Sequence, residues 1–303
     1  MKKNILLICV IFMFFSCEKE KKTEILTEPT SSTSNEILIS EAVVIIDTVY
    51  SESNTIEDYC IALENLKSEY LKKLNENNSK ERNNELYENY KSIRNAHIKN
   101  LNFSNGDILD KFVDYYNEDV EDFVLPNDVK NIENQLKAVE IEFWYIGEGY
   151  TEMRNIPQHF LTLFKGKVTP DYEDYIKQIA HQNKELYSAD AGLVAPFSEV
   201  ADRVIFWENF LNNYSKSKLF QKAKMHYNNY LHDFIFGLDN TPTIEDSQIY
   251  PVFGEVHTEF IKKYPNSLAT KKIKELPKLV VNNFSYEEIH EKLKLEDRIW
   301  EDE

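Results

Sequence analysis

Glycine is the residue that most narrows what this chain can fold into. Only seven glycines occur in 303 residues, against a usual share of roughly 7%. They are Gly106, Gly147, Gly149, Gly166, Gly192, Gly237 and Gly254, each at a break in the pattern. Glycine inside a helix costs about 0.5–1 kcal/mol relative to alanine, so a chain that keeps it out of periodic segments is expected to be helical. The expected fold class is all-α, an irregular array of antiparallel helical hairpins. One small β-hairpin near 141–154 is left open.

Apolar spacing supports this. Ile56, Tyr59, Leu63, Leu66, Tyr70 and Leu74 recur at three and four residues and form one stripe. After an interruption at 75–84, Leu86, Tyr90, Ile93 and His97 continue in a second helix. Ile108, Leu109, Phe112, Val113, Tyr116 and Val120 predict a third over 107–123, and Pro126-Asn127 opens a fourth. Over 139–145 the period changes: Val139, Ile141, Phe143 and Tyr145 alternate with Glu140, Glu142 and Trp144, as in a strand. Gly147-Glu148-Gly149 then fits a three-residue hairpin loop, with a helix running straight through as the alternative.

The C-terminal half carries helix starts. Thr169-Pro170 and Thr241-Pro242 each place a capping residue before proline, and Ser285 with Glu288 forms a capping-box pattern. An internal echo spans fifty residues: Phe210, Tyr214 and Ser217 align with Phe260, Tyr264 and Ser267. The form Phe-x-x-x-Tyr-Pro-x-Ser resembles helix ends of tetratricopeptide-like repeats in bacterial envelope proteins, over roughly residues 198–283. That resemblance implies paired helices, in an irregular array because the 34-residue period is absent.

Lys2 and Lys3 precede an apolar run from Ile5 to Phe15, followed by Ser16-Cys17 and the polar stretch 18–22. Eleven apolar residues make a helix of about 16 Å, half of the roughly 30 Å needed to cross a bilayer, so the run is expected to be a signal-peptide core. Phe14-Phe15-Ser16-Cys17 resembles a relaxed lipobox of Bacteroidota envelope lipoproteins. The resemblance implies cleavage after residue 16 and lipid attachment at Cys17. It also implies a membrane partner through that lipid, with the outer membrane the expected location and its periplasmic or surface face open. A plain secreted protein with an incidental Cys17 is the alternative. The expected organisation is a signal peptide at 1–16 and a lipidated cysteine with a tether at 17–50. One helical body follows at 51–303, with a sub-boundary at 155–168 left open.

Loss of Lys2 and Lys3 with the leader leaves 33 basic residues against 52 acidic, a net charge of −19. That excess argues against nucleic acid and anionic headgroups as partners. Cys60 is the only cysteine left beyond Cys17, so no disulfide staples the body, which depends on its core. Motifs for nucleophilic elbows, zinc proteases, paired-cysteine redox sites and phosphate loops are absent from the sequence. Glu287-x-x-His290 has no second copy, as a di-iron site would require. No catalytic residues, cofactor or metal are therefore expected.

The segment 143–150 combines aromatics, two glycines and a carboxylate at a break in a helical chain, and such loops often carry function. Trp144, Glu148, Tyr150 and Arg154 are the candidate binding residues, with a hydrophobically anchored turn as the plainer reading. The expected role is a protein or peptide binding scaffold. The alternatives are a hydrolase acting on an envelope polymer and an acidic immunity- or inhibitor-type interaction protein.

Overall fold

The computed structural model describes residues 55–299. The leader, Cys17, the tether and the β-branched run Val43–Ile46 lie outside the described residues. Eleven helices and five two-stranded antiparallel hairpins make up the rest, a mostly-α fold. Helix α1 (Ile56–Leu74) starts at a capping box in which the Thr55 side chain and Asp58 satisfy each other's backbone N–H. Its buried residues Tyr59, Leu63, Leu66, Tyr70 and Leu74 are the stripe legible in the sequence. Helix α2 (Lys80–Ser104), capped by Ser79, returns antiparallel against it.

The expected third helix does not form. The chain makes one turn of α3 (Gly106–Asp110), a 3-10 turn (Phe112–Tyr115) and a small hairpin, β1 (Tyr116–Asn117) with β2 (Asp122–Phe123). Tyr116 and Val120 are exposed instead of packed on a helix face. The reason lies in Glu118, Asp119, Glu121 and Asp122, which a helix would stack as like charges at three- and four-residue spacing. The Asn117 carboxamide also accepts the Asp119 N–H at 2.9 Å, a local bond that competes with helix.

Helix α4 (Asn127–Ala138) leads into the hairpin β3 (Ile141–Gly147) and β4 (Tyr150–Asn155), then α5 (His159–Phe164) and α6 (Pro170–Gln182). Thr169 occupies the cap position of α6, but its hydroxyl accepts from Asn84 and donates to Asp171. Strands β5 (Ser188–Ala189) and β6 (Gly192–Leu193) precede α7 (Phe197–Asn213) and α8 (Phe220–Phe236). Two hairpins follow, β7 (Gly237–Leu238) with β8 (Thr241–Pro242) and β9 (Ile244–Glu245) with β10 (Gln248–Ile249). Helices α9 (Pro251–Lys263), α10 (Leu268–Val281) and α11 (Tyr286–Lys292) complete the body, α11 with both bonds of the expected capping box.

Thr241-Pro242 is thus a strand and not a helix start. Thr241 Oγ1 accepts the Leu193 N–H at 2.9 Å, and the helix waits until Pro251, where Tyr250 is the cap residue. One apolar core gathers Tyr59, Leu63, Leu101, Leu136, Ile141 and Met153. A larger one surrounds Tyr90, Phe164, Val204, Trp207 and Phe234. Helices α1 and α2 contribute to both cores.

The fifty-residue echo is a repeated turn. Phe210 and Phe260 are buried, and Tyr214 and Tyr264 are half-buried. Ring centroids of Phe210 and Tyr214 lie 4.9 Å apart at 58°, and those of Phe260 and Tyr264 lie 5.1 Å apart at 59°. In each copy the serine hydroxyl donates to a carboxylate from an earlier helix, Ser217 to Asp171 on α6 and Ser267 to Glu208 on α7. Glu208 also accepts the Leu268 and Ala269 N–H groups at 2.9 and 3.1 Å, holding the positive N-terminal end of α10. These tight turns close one end of the α7–α10 array, which leaves the β-hairpins at the other.

Candidate functional site: a row of hairpins

The β3–β4 hairpin settles the open question at 141–154. Ile141, Phe143 and Tyr145 share a face: Ile141 is fully buried, Phe143 packs on Phe112 at 4.7 Å, and Tyr145 packs on Phe123 at 5.6 Å. The loop is shorter than the three residues expected, because Gly147 pairs with Tyr150 and Ile146 is a bulge. Glu148 and Gly149 form the two-residue turn with φ of 53° and 84°, the positive values that favour glycine and the type I′ geometry of tight hairpins.

Trp144 is half-buried under the Arg154 guanidinium, 3.3 Å from the ring centroid, and Arg154 pairs with Glu142 at 2.9 Å. Glu148 and Tyr150 stand at the tip, where Tyr150 is 65% exposed. The four candidates therefore split into a self-satisfied stack mid-strand, Trp144 with Arg154, and two exposed side chains at the tip, Glu148 and Tyr150.

The base of the hairpin is held from α2. The fully buried Arg94 donates through Nε to Asn155 Oδ1 and through Nη2 to the carbonyls of Val139 and Glu140, at 2.6 and 3.3 Å. Glu140 has φ of 61°, and its carboxylate meets Lys67 Nζ at 3.0 Å and His159 Nδ1 at 2.7 Å. His159 Nε2 lies 2.9 Å from the Tyr90 hydroxyl. Hydrogen bonding to His159 holds the Glu140 carboxyl down near 2, while burial holds His159 down to about 4 and pushes Tyr90 up to about 12. A neutral His159 beside an ionised Glu140 carries its proton on Nδ1, so Nε2 accepts from Tyr90. With Tyr90 fully buried, this network anchors the hairpin and offers no exposed nucleophile.

Sequence reasoning missed that this tip touches the next hairpin. A Cβ placed on Gly147 would lie 2.7 Å from Ala189 Cβ, whereas one on Gly149 meets nothing within 4 Å. Both glycines have positive φ, so they make a matched pair. Gly147→Ala should cost roughly 1–3 kcal/mol more than Gly149→Ala through overpacking, lowering the melting temperature by some 2–4 °C per kcal/mol. Equal melting of the two variants would show that the tip does not dock on Ala189.

From there the contacts continue. The Asn240 N–H donates to the Ala191 carbonyl at 2.9 Å, and Leu193 N–H to Thr241 Oγ1. Thr243 joins the last two hairpins, its N–H donating to the Phe236 carbonyl at 2.9 Å beyond β7–β8 and its carbonyl accepting the Tyr250 N–H at 3.0 Å beyond β9–β10. On the opposite side, Phe123 of β2 packs on Tyr145 of β3. The five hairpins thus form one continuous row.

The row has a composition of its own. Residues 116–123, 147–150, 188–193 and 237–249 contain no Lys or Arg, where the chain's own frequency would place about four. They contain nine acidic residues, Glu118, Asp119, Glu121, Asp122, Glu148, Asp190, Asp239, Glu245 and Asp246. All nine are exposed, and no ion pair among the described residues uses them. Apolar side chains stand exposed among and beside them: Tyr116, Val120 and Val124, then Ile146 and Tyr150, then Val194 and Val252. No pairwise motif signals this arrangement. It emerges when turns far apart in sequence are brought side by side.

A separate groove of about 780 Å³ runs between α2, β4 and α6. Several of its polar groups already serve the fold: Asn102 exchanges both amide bonds with Met153 backbone, Asn155 bonds Asn95 and Arg94, and Arg154 covers Trp144. Among the described residues no three His, Cys, Asp or Glu side chains converge to hold a metal ion. Comparison with known protein families, with curated proteins and with solved structures finds no match to this chain. The class defined by fold and surface is a mostly-α helical array carrying a row of acidic β-hairpins along one end.

Proposed function

We propose that this chain is a lipid-anchored envelope protein whose helical body presents the hairpin row to a protein or peptide partner of basic surface. The observation that carries the reading is the segregation of charge. Five touching turns hold nine exposed carboxylates, none in an ion pair among the described residues, and no Lys or Arg. Uncompensated charge of one sign steers an oppositely charged partner and suppresses wrong ones. The exposed Tyr150, Tyr116 and valines supply apolar contact area of the kind found at interface centres. The lipobox-like Phe14-Phe15-Ser16-Cys17 supports anchoring by lipid on Cys17, with the outer membrane as the proposed location. No helix among the described residues is long and apolar enough to cross a membrane.

The test is capture from envelope membranes with the full-length protein. Glu148→Gln, Tyr150→Ala and Asp190→Asn replace exposed groups, so together they should change melting by little, about 0.5 kcal/mol or less each, while capture drops and becomes less sensitive to salt. Undiminished capture by this variant would sink the docking reading. In the same preparation Cys17→Ala should leave the membrane fraction, and a processed, acylated, membrane-bound Cys17→Ala protein would refute the anchor.

A further inference from the structure

The row ends in a cavity. Hairpins β7–β8 and β9–β10 form one wall, and the ends of α8 and α10 with the start of α11 form the other. Its volume is about 570 Å³, within the range of ligand sites. The floor is aromatic: the Phe236 and Tyr286 rings have centroids 4.3 Å apart at 43°, and Tyr286 is 47% exposed. His232 Nε2 hydrogen-bonds the Tyr286 hydroxyl and fixes that ring. Asp239, Glu245 and Asp246 line the cavity, and no Lys or Arg does. Glu245 accepts from the Tyr250 hydroxyl, while Asp239 and Asp246 form no ion pair among the described residues. Asp246 and Ser247 both hold positive φ, 48° and 59°, a backbone state that costs energy outside glycine. The Ser247 hydroxyl is tied to Asn283 Oδ1 at the end of α10.

We infer that this cavity takes an arginine side chain of the docked partner, an inference that rests on the row being the docking surface. Three carboxylates line the cavity against one nearby cation, Lys292, whose Nζ lies 4.4 Å from the ring centroid of the lining Phe284, a balance that disfavours an anionic occupant. Ring faces attract a cation through the negative face of the aromatic quadrupole. Of the two cationic side chains, the planar, weakly hydrated guanidinium stacks on a ring while its N–H fork pairs with carboxylates, which a lysine ammonium cannot do. The cavity is continuous with the row, because Asp239 and Asp246 belong to the turns that end it.

The experiment titrates the purified full chain with the capped tripeptide Gly-Arg-Gly, its citrulline analogue and choline, read by calorimetry and by NMR shifts. The arginine peptide should bind at least about tenfold more tightly than the neutral citrulline isostere, the loss of one charged contact. Tyr286→Leu keeps an apolar side chain but removes the ring, and should weaken binding by roughly 3–30-fold. Asp239→Asn with Asp246→Asn leaves the backbone undisturbed, since Asn tolerates positive φ as Asp does, and should weaken both binding and its salt dependence, Glu245 being the one lining carboxylate that stays. Equal binding of arginine and citrulline peptides, binding that survives both variants, or preference for choline would each overturn the proposal. A chain that self-associates through the cavity in sedimentation, losing that association in Tyr286→Leu, would assign the site to a second copy and overturn it too. The row stands or falls separately: capture that still depends on Glu148 and Tyr150 when arginine fails to bind sinks only the cavity.

Discussion

Replacing Arg94 by methionine should lower the melting temperature by about 10 °C, with a loss of about 3–5 kcal/mol. Arg94 is fully buried and joins α2 to both ends of the β3–β4 hairpin, through the Val139 and Glu140 carbonyls on one side and Asn155 on the other. Methionine fills much of the space but donates nothing, leaving the Val139 carbonyl and Asn155 Oδ1 without their donor, while the Glu140 carbonyl keeps only the Ile156 N–H at 3.0 Å and the residue stays at φ 61°. Lysine should rescue little, because a point charge cannot reach acceptors arranged for a planar fork. The docking row should fail with it, since the tip at Gly147 contacts Ala189 only if the hairpin base is fixed. Thermal melts of Arg94→Met and Arg94→Lys check this, and wild-type melting in either would mean that the hairpin is anchored by other contacts.

The second large effect is acid sensitivity. Burial holds His97 and His159 down to about 4, from an ordinary 6.5, and also lowers His257. The unfolded chain then binds protons between about pH 6.5 and 4 that the fold refuses, so stability is fully present above 6.5 and falls as pH drops through this window. Each of His97 and His159 contributes on the order of 3 kcal/mol above this window. Glu140, held near 2 from an ordinary 4.5 chiefly by its bond to His159, adds a loss in the same direction below pH 4.5. Denaturant midpoints measured from pH 7.5 to 4 should fall steadily, and His159→Gln should remove part of the slope. A flat profile over that range would contradict neutral, buried imidazoles in the fold.

Periodicity carried much of the helical content. Tyr59, Leu63, Leu66, Tyr70 and Leu74 could be assigned to one buried face, and Ser285 with Glu288 to a helix start, because both are local rules: a 3.6-residue period and a bond three residues long. Alternation at 139–145 gave the same access to β3, since a period of two is equally local. The remaining hairpins have strands of two residues, too short for any period to register. Their turns instead put Asp190, Ala191, Asp246 and Ser247 at positive φ without glycine, so the usual turn signal was missing. Thr241-Pro242 misled for a related reason: proline suits the first turn of a helix and an edge strand alike. The choice fell to the Leu193 N–H, forty-eight residues away, which Thr241 satisfies.

The candidate tip shows the same division. Two glycines beside Glu148 announced a reversal, because positive φ is a property of the residue itself. That Gly147 also needs to be small for Ala189, that Arg154 covers Trp144, and that five acidic turns stand in line are facts of distance between remote segments. Charge in a sequence is a sum over residues, and a docking surface is a placement of them. By itself the sequence determined the long periodic helices, a break near 147–149, the lipobox-like start and the acidic excess. Only the tertiary structure decided where that excess gathers, because packing of the helix pairs brings their connecting turns to a common end.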